Sequence, residues 1–219
     1  MNADQRRPDR RIVAIDGPAG SGKTTLASRL ADRFELDFLD TGLLYRATAR
    51  RLLEAGAAAS DEAAARDSAV AITIDDLDPD LLMTEIIGQT ASKVAAIPAV
   101  RTALLDFQRR FGEDGRGAVL VGRDIGTVVR PDATHKIFVT ASVEQRAKRR
   151  CKQLQDRGVA AIYERVLEEL CQRDARDRSR AVAPLLPAED AFILDTTEQS
   201  IEVAFETAAA FIAERGTAA

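Results

Sequence analysis

Gly17-Pro18-Ala19-Gly20-Ser21-Gly22-Lys23-Thr24 fits the spacing G-x-x-x-x-G-K-[ST]. The glycines let backbone N–H groups turn inward around phosphate oxygens. A helix beginning near Lys23 would aim its positive end at the same charge. In this pattern the lysine reaches the β and γ phosphates of a nucleoside triphosphate. The Thr24 hydroxyl, with Thr25 beside it, can ligate Mg2+. A chance glycine turn is the alternative, but the flanks suit the motif. A β-branched apolar run, residues 11–16 (RIVAID), enters the loop, and Leu26, Leu30 and Phe34 leave it at helical spacing. The motif implies a triphosphate and does not say what becomes of it.

Three further clusters carry charge where such a ligand would need it. Asp40-Thr41-Gly42, followed by Tyr45 and Arg46, ends a short strand-like run. A small hydroxyl and a helix N-terminus there make a second anion site, with Arg46 about one turn after Gly42 and able to point back. A capped helix start with a surface arginine reads equally well. Gly122-Arg123-Asp124-Ile125-Gly126-Thr127 follows the third strand-like run and suits close contact with a polar ligand; an internal Arg–Asp pair in a turn is its alternative. Residues 173–180 (RDARDRSR) hold four arginines and two aspartates. A charge run alone reads as a solvated helix end. Beside a phosphate-binding loop it reads as a lid that closes on polyphosphate.

These clusters need elements to position them. Residues 11–16, 37–40, 117–122, 136–140 and 190–195 read as strands, separated by helical patterns at 23–34, 43–55, 142–156, 160–173 and 199–214. Strands alternating with helices indicate parallel βαβ units, with helices on both faces of the sheet. The expected fold class is α/β, in one domain spanning 11–219. Residues 57–116 are Ala-rich and helical in pattern, an insertion packed beside the sheet. Residues 174–189 read as a mobile loop, and 1–10 as a frayed basic tail.

Composition narrows the function classes. The net charge of −4 argues against a general nucleic-acid binder, so the basic clusters are local and ligand-directed. No apolar run approaches membrane-span length. Two cysteines, Cys151 and Cys171, without metal-type spacing, suit a reduced cytoplasmic protein.

In their order, DGPAGSGKTT, LDTGLLYR, GRDIGTVVRPDA and RDARDRSRAVAPLLPAEDA resemble the bacterial cytidylate kinases. The resemblance covers about residues 11–205, and GRDIGTVV and RAVAPL are specific to that family. It implies a nucleoside-monophosphate-kinase fold with a five-stranded parallel sheet, an acceptor-binding insertion (57–116) and a lid (174–189). It also implies phosphorylation of CMP and dCMP by ATP with Mg2+. Apart from these small molecules no partner is expected, and the chain is expected to be a monomer. Position by position, it puts Thr41, Tyr45, Arg46, Ser92, Arg101 and Arg123 at the acceptor, Asp124 at the cytosine, Arg173 and Asp177 near the sugar, and Arg180 in the lid against phosphate. Lys23, Arg123 and Arg180 would be the catalytic cations. Two departures stand out. Family members commonly carry an acid just before GRD; here it is Val121, which leaves open which acid assists the metal, with Asp16 as a substitute. The insertion also looks trimmed, with DDLDPD followed by a helix in place of a small antiparallel sheet.

An acceptor that is already a phosphate anion needs no general base at neutral pH. The single histidine, His135, fits that chemistry as a solvent-facing or capping residue. Catalysis would consist of positioning and charge stabilisation.

Overall fold

Strand β1 (Ile12–Asp16) is apolar at every position but its last because both faces of the sheet around it are covered. The computed structural model describes residues 11–113 and 116–215, so the expected tail at 1–10 lies outside the described residues. The remaining strands are β2 (Asp37–Asp40), β3 (Ala118–Gly122), β4 (His135–Thr140) and β5 (Phe192–Asp195). They form one sheet in the order β2-β3-β1-β4-β5, and every pairing is parallel. The edge strands are the least covered, with Ile193 exposed on β5.

Side chains alternate between the two faces with period two. Val13, Ile15, Val119, Val121, Ile137 and Val139 meet helix α1 (Lys23–Phe34) and the chain's last described helix, through Leu26, Leu30, Ala208 and Ile212. Ile12, Ala14, Ala118 and Leu120 face the other way, onto Leu39, Ile125 and Val129. A second core lies beside the sheet. It is built from α2 (Thr41–Glu54), α3 (Glu62–Val70), α4 (Pro79–Leu82), α5 (Glu85–Val94) and α6 (Pro98–Arg110), through Leu44, Leu52, Ala65, Val94 and Leu104. Asp61 caps α3 by accepting from Ala64 N at 3.0 Å, a contribution of about 1 kcal/mol. Between residues 57 and 116 the described residues contain no strand, in keeping with the helical pattern of the insertion.

Helices α7 (Val143–Asp156) and α8 (Tyr163–Ser179) pack together through Ala147, Cys151, Val166 and Leu170; α9 (Ile201–Arg215) closes the described chain. Two expectations need correction. Residues 174–179 are not loop: α8 continues six residues beyond the predicted end, because Asp174 and Asp177 are buried and paired. The irregular segment that follows is tied back, with Leu185 buried and its N–H donating to Asp177 O at 2.8 Å. His135 is not solvent-facing. It opens β4 in the interior, 3% exposed, with Nδ1 2.9 Å from Thr134 Oγ1 and its ring edge-on to Phe211. Among the described residues no helix is long and apolar enough to cross a membrane.

Candidate active site

Because all five strands run parallel, their carboxyl ends bring Asp16, Asp40, Gly122 and Asp195 to one sheet edge, where open α/β sheets bind ligands. The loop from Gly17 to Gly22 leaves β1 there. Gly20 and Gly22 take φ of 76° and 88°, the left-handed region open to glycine. A Cβ on Gly17 would stand 2.0 Å from Val139 O, so the loop can lie against β4 only with glycine at that position. Lys23 and Thr24 open α1. Lys23 is buried, and its Nζ donates to Pro18 O at 2.9 Å. Burial, reinforced by the nearby Arg123, pushes the Lys23 ammonium well below its usual pKa.

Two arginines of α7 bind carbonyls of the loop. Arg146 makes a bidentate pair with Asp174 of α8 (3.2 and 2.7 Å), and its Nη1 also donates to Ala19 O at 3.1 Å. Arg149 donates to Thr196 Oγ1 at 2.9 Å and to Ser21 O at 3.4 Å. With Ala19 O and Ser21 O held by these side chains, the shape of the loop is fixed from α7. Sequence reasoning missed both arginines, since neither lies in a local motif.

Before the loop opens a cavity of about 900 Å³. Ala19 through Thr25 line it, and so do Arg46, Ser92, Arg123 and Arg173 from other elements. Eight basic side chains line this space against three acidic ones, so it suits an anion. From α2, Arg46 donates to Leu82 O of α4 at 2.9 Å, and its guanidinium lies where a Cβ on Gly88 of α5 would come within 3.0 Å. Arg173 is pushed down to about 9 by burial and by the like charges of Arg123, Arg46 and Arg180, with Asp177 opposing. Its Nε is buried and has no hydrogen-bond partner.

Beyond Arg46, Ser92, Arg123 and Arg173, the other expected acceptor residues stand outside the cavity lining, and Asp177 among them bonds to Arg123. Arg123 and Asp124 do not pair with each other. Arg123 Nε donates to Asp177 Oδ2 at 2.9 Å, while Asp124 accepts a short bond from Arg101. Arg101 also lies 5.7 Å from the centre of the Tyr45 ring, whose phenol is raised by burial. Asp177 is 1% exposed and also accepts from Arg180. Burial alone would raise its carboxyl, but Arg123, Arg180 and Arg173 outweigh that and hold it low. Ser92 is buried and accepts from Arg176 at 3.3 Å. Thr41 spends its hydroxyl on Val121 O at 2.9 Å and does not face the cavity. Gly17, Pro18, Tyr45, Arg101, Asp124, Asp177 and Arg180 also lie outside its lining.

Asp16 does not meet Thr24. Its oxygens accept from Ile125 N and Gly126 N, both at 2.8 Å, and so anchor the single π-helical turn Ile125–Val129 that follows Arg123 and Asp124. The carboxylate at the loop's hydroxyl is Asp40: Thr24 Oγ1 donates to Asp40 Oδ2 at 3.3 Å. Mg2+ takes oxygen ligands and keeps several waters. A hydroxyl and a carboxylate at this spacing, beside a phosphate loop, fit such an ion.

The family model and the similar curated proteins point to one family. The family model described as cytidylate kinase matches residues 13–214. A cytidylate kinase of Paramagnetospirillum magneticum is 54% identical over 207 residues, covering 93% of this chain and 98% of its own. One from Methylocella silvestris is 56% identical over 197 residues, covering 90% of this chain and 91% of its own. Among solved structures, an uncharacterised protein of Eubacterium ventriosum matches with a TM-score of 0.55 at 14% identity, over 94% of this chain and 99% of its own. At that identity the likeness concerns the fold alone.

Proposed function

The chain belongs to the cytidylate kinase family, and from that premise we propose how its residues divide the work. It transfers the γ-phosphoryl group of ATP to CMP or dCMP, giving ADP and CDP or dCDP. In the proposed division, the loop from Gly17 to Thr25 binds the ATP phosphates, and Lys23 exchanges Pro18 O for their β and γ oxygens. Thr24 would hold Mg2+, which when bound neutralises charge on the phosphate oxygens. Arg46, Arg123 and Arg173 receive the acceptor phosphate. Arg101 and Asp124, with Tyr45 and Ser92, take the cytosine side. Arg173 and Asp177 take the sugar. Arg180 belongs to a lid that begins where α8 ends.

The acceptor oxygen is already anionic, so no side chain need remove a proton. What the residues supply is alignment and a field of positive charge around the group in flight. The observation that carries this reading is the convergence of Lys23, Arg46, Arg123 and Arg173 on one cavity. Such a cluster is electrostatically uncomfortable until phosphate enters it. A coupled assay of ADP release, run across CMP, dCMP, UMP and AMP, tests the assignment. CMP and dCMP should be turned over readily and UMP and AMP far more slowly. Equal turnover of all four would sink the cytosine-side assignment.

A further inference from the structure

In the pattern that Gly17–Thr24 fits, the last hydroxyl is the one that meets the metal ion. Here that hydroxyl is already in contact with a carboxylate, Asp40 Oδ2, at 3.3 Å. Asp40 is the final residue of β2 and the cap of α2. Its Oδ1 accepts from Gly42 N at 2.9 Å, which fixes the plane of the carboxylate and turns Oδ2 toward the loop. Asp40 also lines the cavity beside Lys23 and Thr24.

The position where an acid was expected is Val121. It is fully buried and apolar, and in the sheet it is the register partner of Asp40. Neighbouring strands lie about 4.8 Å apart, within the span of one bridging water. A carboxylate at the end of β2 can therefore serve water that a carboxylate at the end of β3 would otherwise hold. The remaining acids nearby are otherwise placed. Asp16 is bound to two backbone N–H groups, and Glu85 and Glu169 belong to α5 and α8.

We propose that Asp40 orients the water shell of the Mg2+ ion that accompanies ATP, in place of a carboxylate at position 121. Water on a divalent ion is a strong hydrogen-bond donor, and an anchored anion is its strongest acceptor. Asp40 is thus a positioning residue, acting on the metal through water while Thr24 meets it directly. The inference rests on the ATP site proposed above, and the experiment separates the two.

Calorimetric titration with ATP is run twice on each protein, in EDTA and in excess Mg2+. Binding in EDTA reports the loop itself, and the gain on adding Mg2+ reports the metal's surroundings. Asp40→Asn keeps an oxygen for the Gly42 N–H, so the helix cap survives. It should bind ATP in EDTA at least as well as the parent, since a negative charge near the phosphates is gone. Its Mg2+-dependent gain should fall about tenfold or more, the usual cost of losing a partner to a metal's ligand. Should that variant not fold, the parent chain is labelled with 13C at its aspartate carboxyls and loaded with Mn2+ and ATP. The Asp40 signal should then broaden more than that of Asp16. A Mg2+ gain unchanged within about twofold in Asp40→Asn, or stronger broadening of Asp16, overturns the proposal. Failure of the parent to bind ATP even with Mg2+ overturns the assignment of the loop instead.

Discussion

Asp16 holds its charge under protest. Burial raises its carboxyl to about 6, although the N–H groups of Gly126 and Ile125 favour the anion. A carboxyl raised on folding contributes stability that is fully present below its unfolded value, near 3.8, and is lost as pH rises through about 6. The full swing is about 3 kcal/mol at 1.36 kcal/mol per unit. Urea unfolding of the parent and of Asp16→Asn between pH 4 and 7 should show the parent losing ground as pH rises, then levelling above 6. A gap that widens in the parent's favour would refute this. Lys23→Ala should leave a folded protein whose kcat has dropped by orders of magnitude; near-normal turnover would remove the loop from the reaction. Asp124→Asn should narrow the preference for CMP over UMP, because an amine-accepting carboxylate is what rejects uracil's carbonyl. Lys23 was readable because its partners lie within a few residues. Asp40 was visible only as part of an anion site, because its contact with Thr24 arises from the placing of β2 beside α1. His135 reads as solvent-facing because its burial comes from pairing with β1 and from Phe211, which nothing local to it announces.

Helix α8 shows how an element can be hidden by its own composition. The run from 173 to 180 has the charge density of a solvated loop, yet Arg173, Asp177 and Arg180 recur at helical spacing, with Asp174 next to the first. Asp174 meets Arg146, 28 positions away, and Asp177 meets Arg123, 54 positions away. Pairings of that range have no local signature, and they are what keep the helix going to Ser179. Asp174→Ala would leave Arg146 buried and unpaired, and should cost about 3–5 kcal/mol in chemical denaturation. Arg180→Ala should depress kcat more than it raises KM. Arg178, exposed on the opposite side, is the control: Arg178→Ala should do neither. Equal losses from the two would point to a diffuse basic patch.

At the scale of the molecule, a chain of net charge −4 gathers eight basic side chains around one cavity. Anions should therefore stabilise it specifically. CMP at about 100 times its Kd should add about 2.7 kcal/mol and raise Tm, and inorganic phosphate should raise Tm more than sodium chloride at equal ionic strength. No difference between the two salts would argue against a built anion site. The alternation of strand and helix patterns was enough to foresee the parallel sheet and its five members, because buried parallel strands are nearly continuous apolar runs. The strand order was beyond reach of that reasoning, since it is decided by which strands β1 pairs with across more than a hundred residues. That order has a bearing on descent. Asp40 and Val121 stand side by side in register. If either end can carry the acid, a lineage that once held both could shed one without ever passing through an inactive ancestor. The two positions would then record a shared history, with aspartate lost from one or the other across related chains and rarely from both.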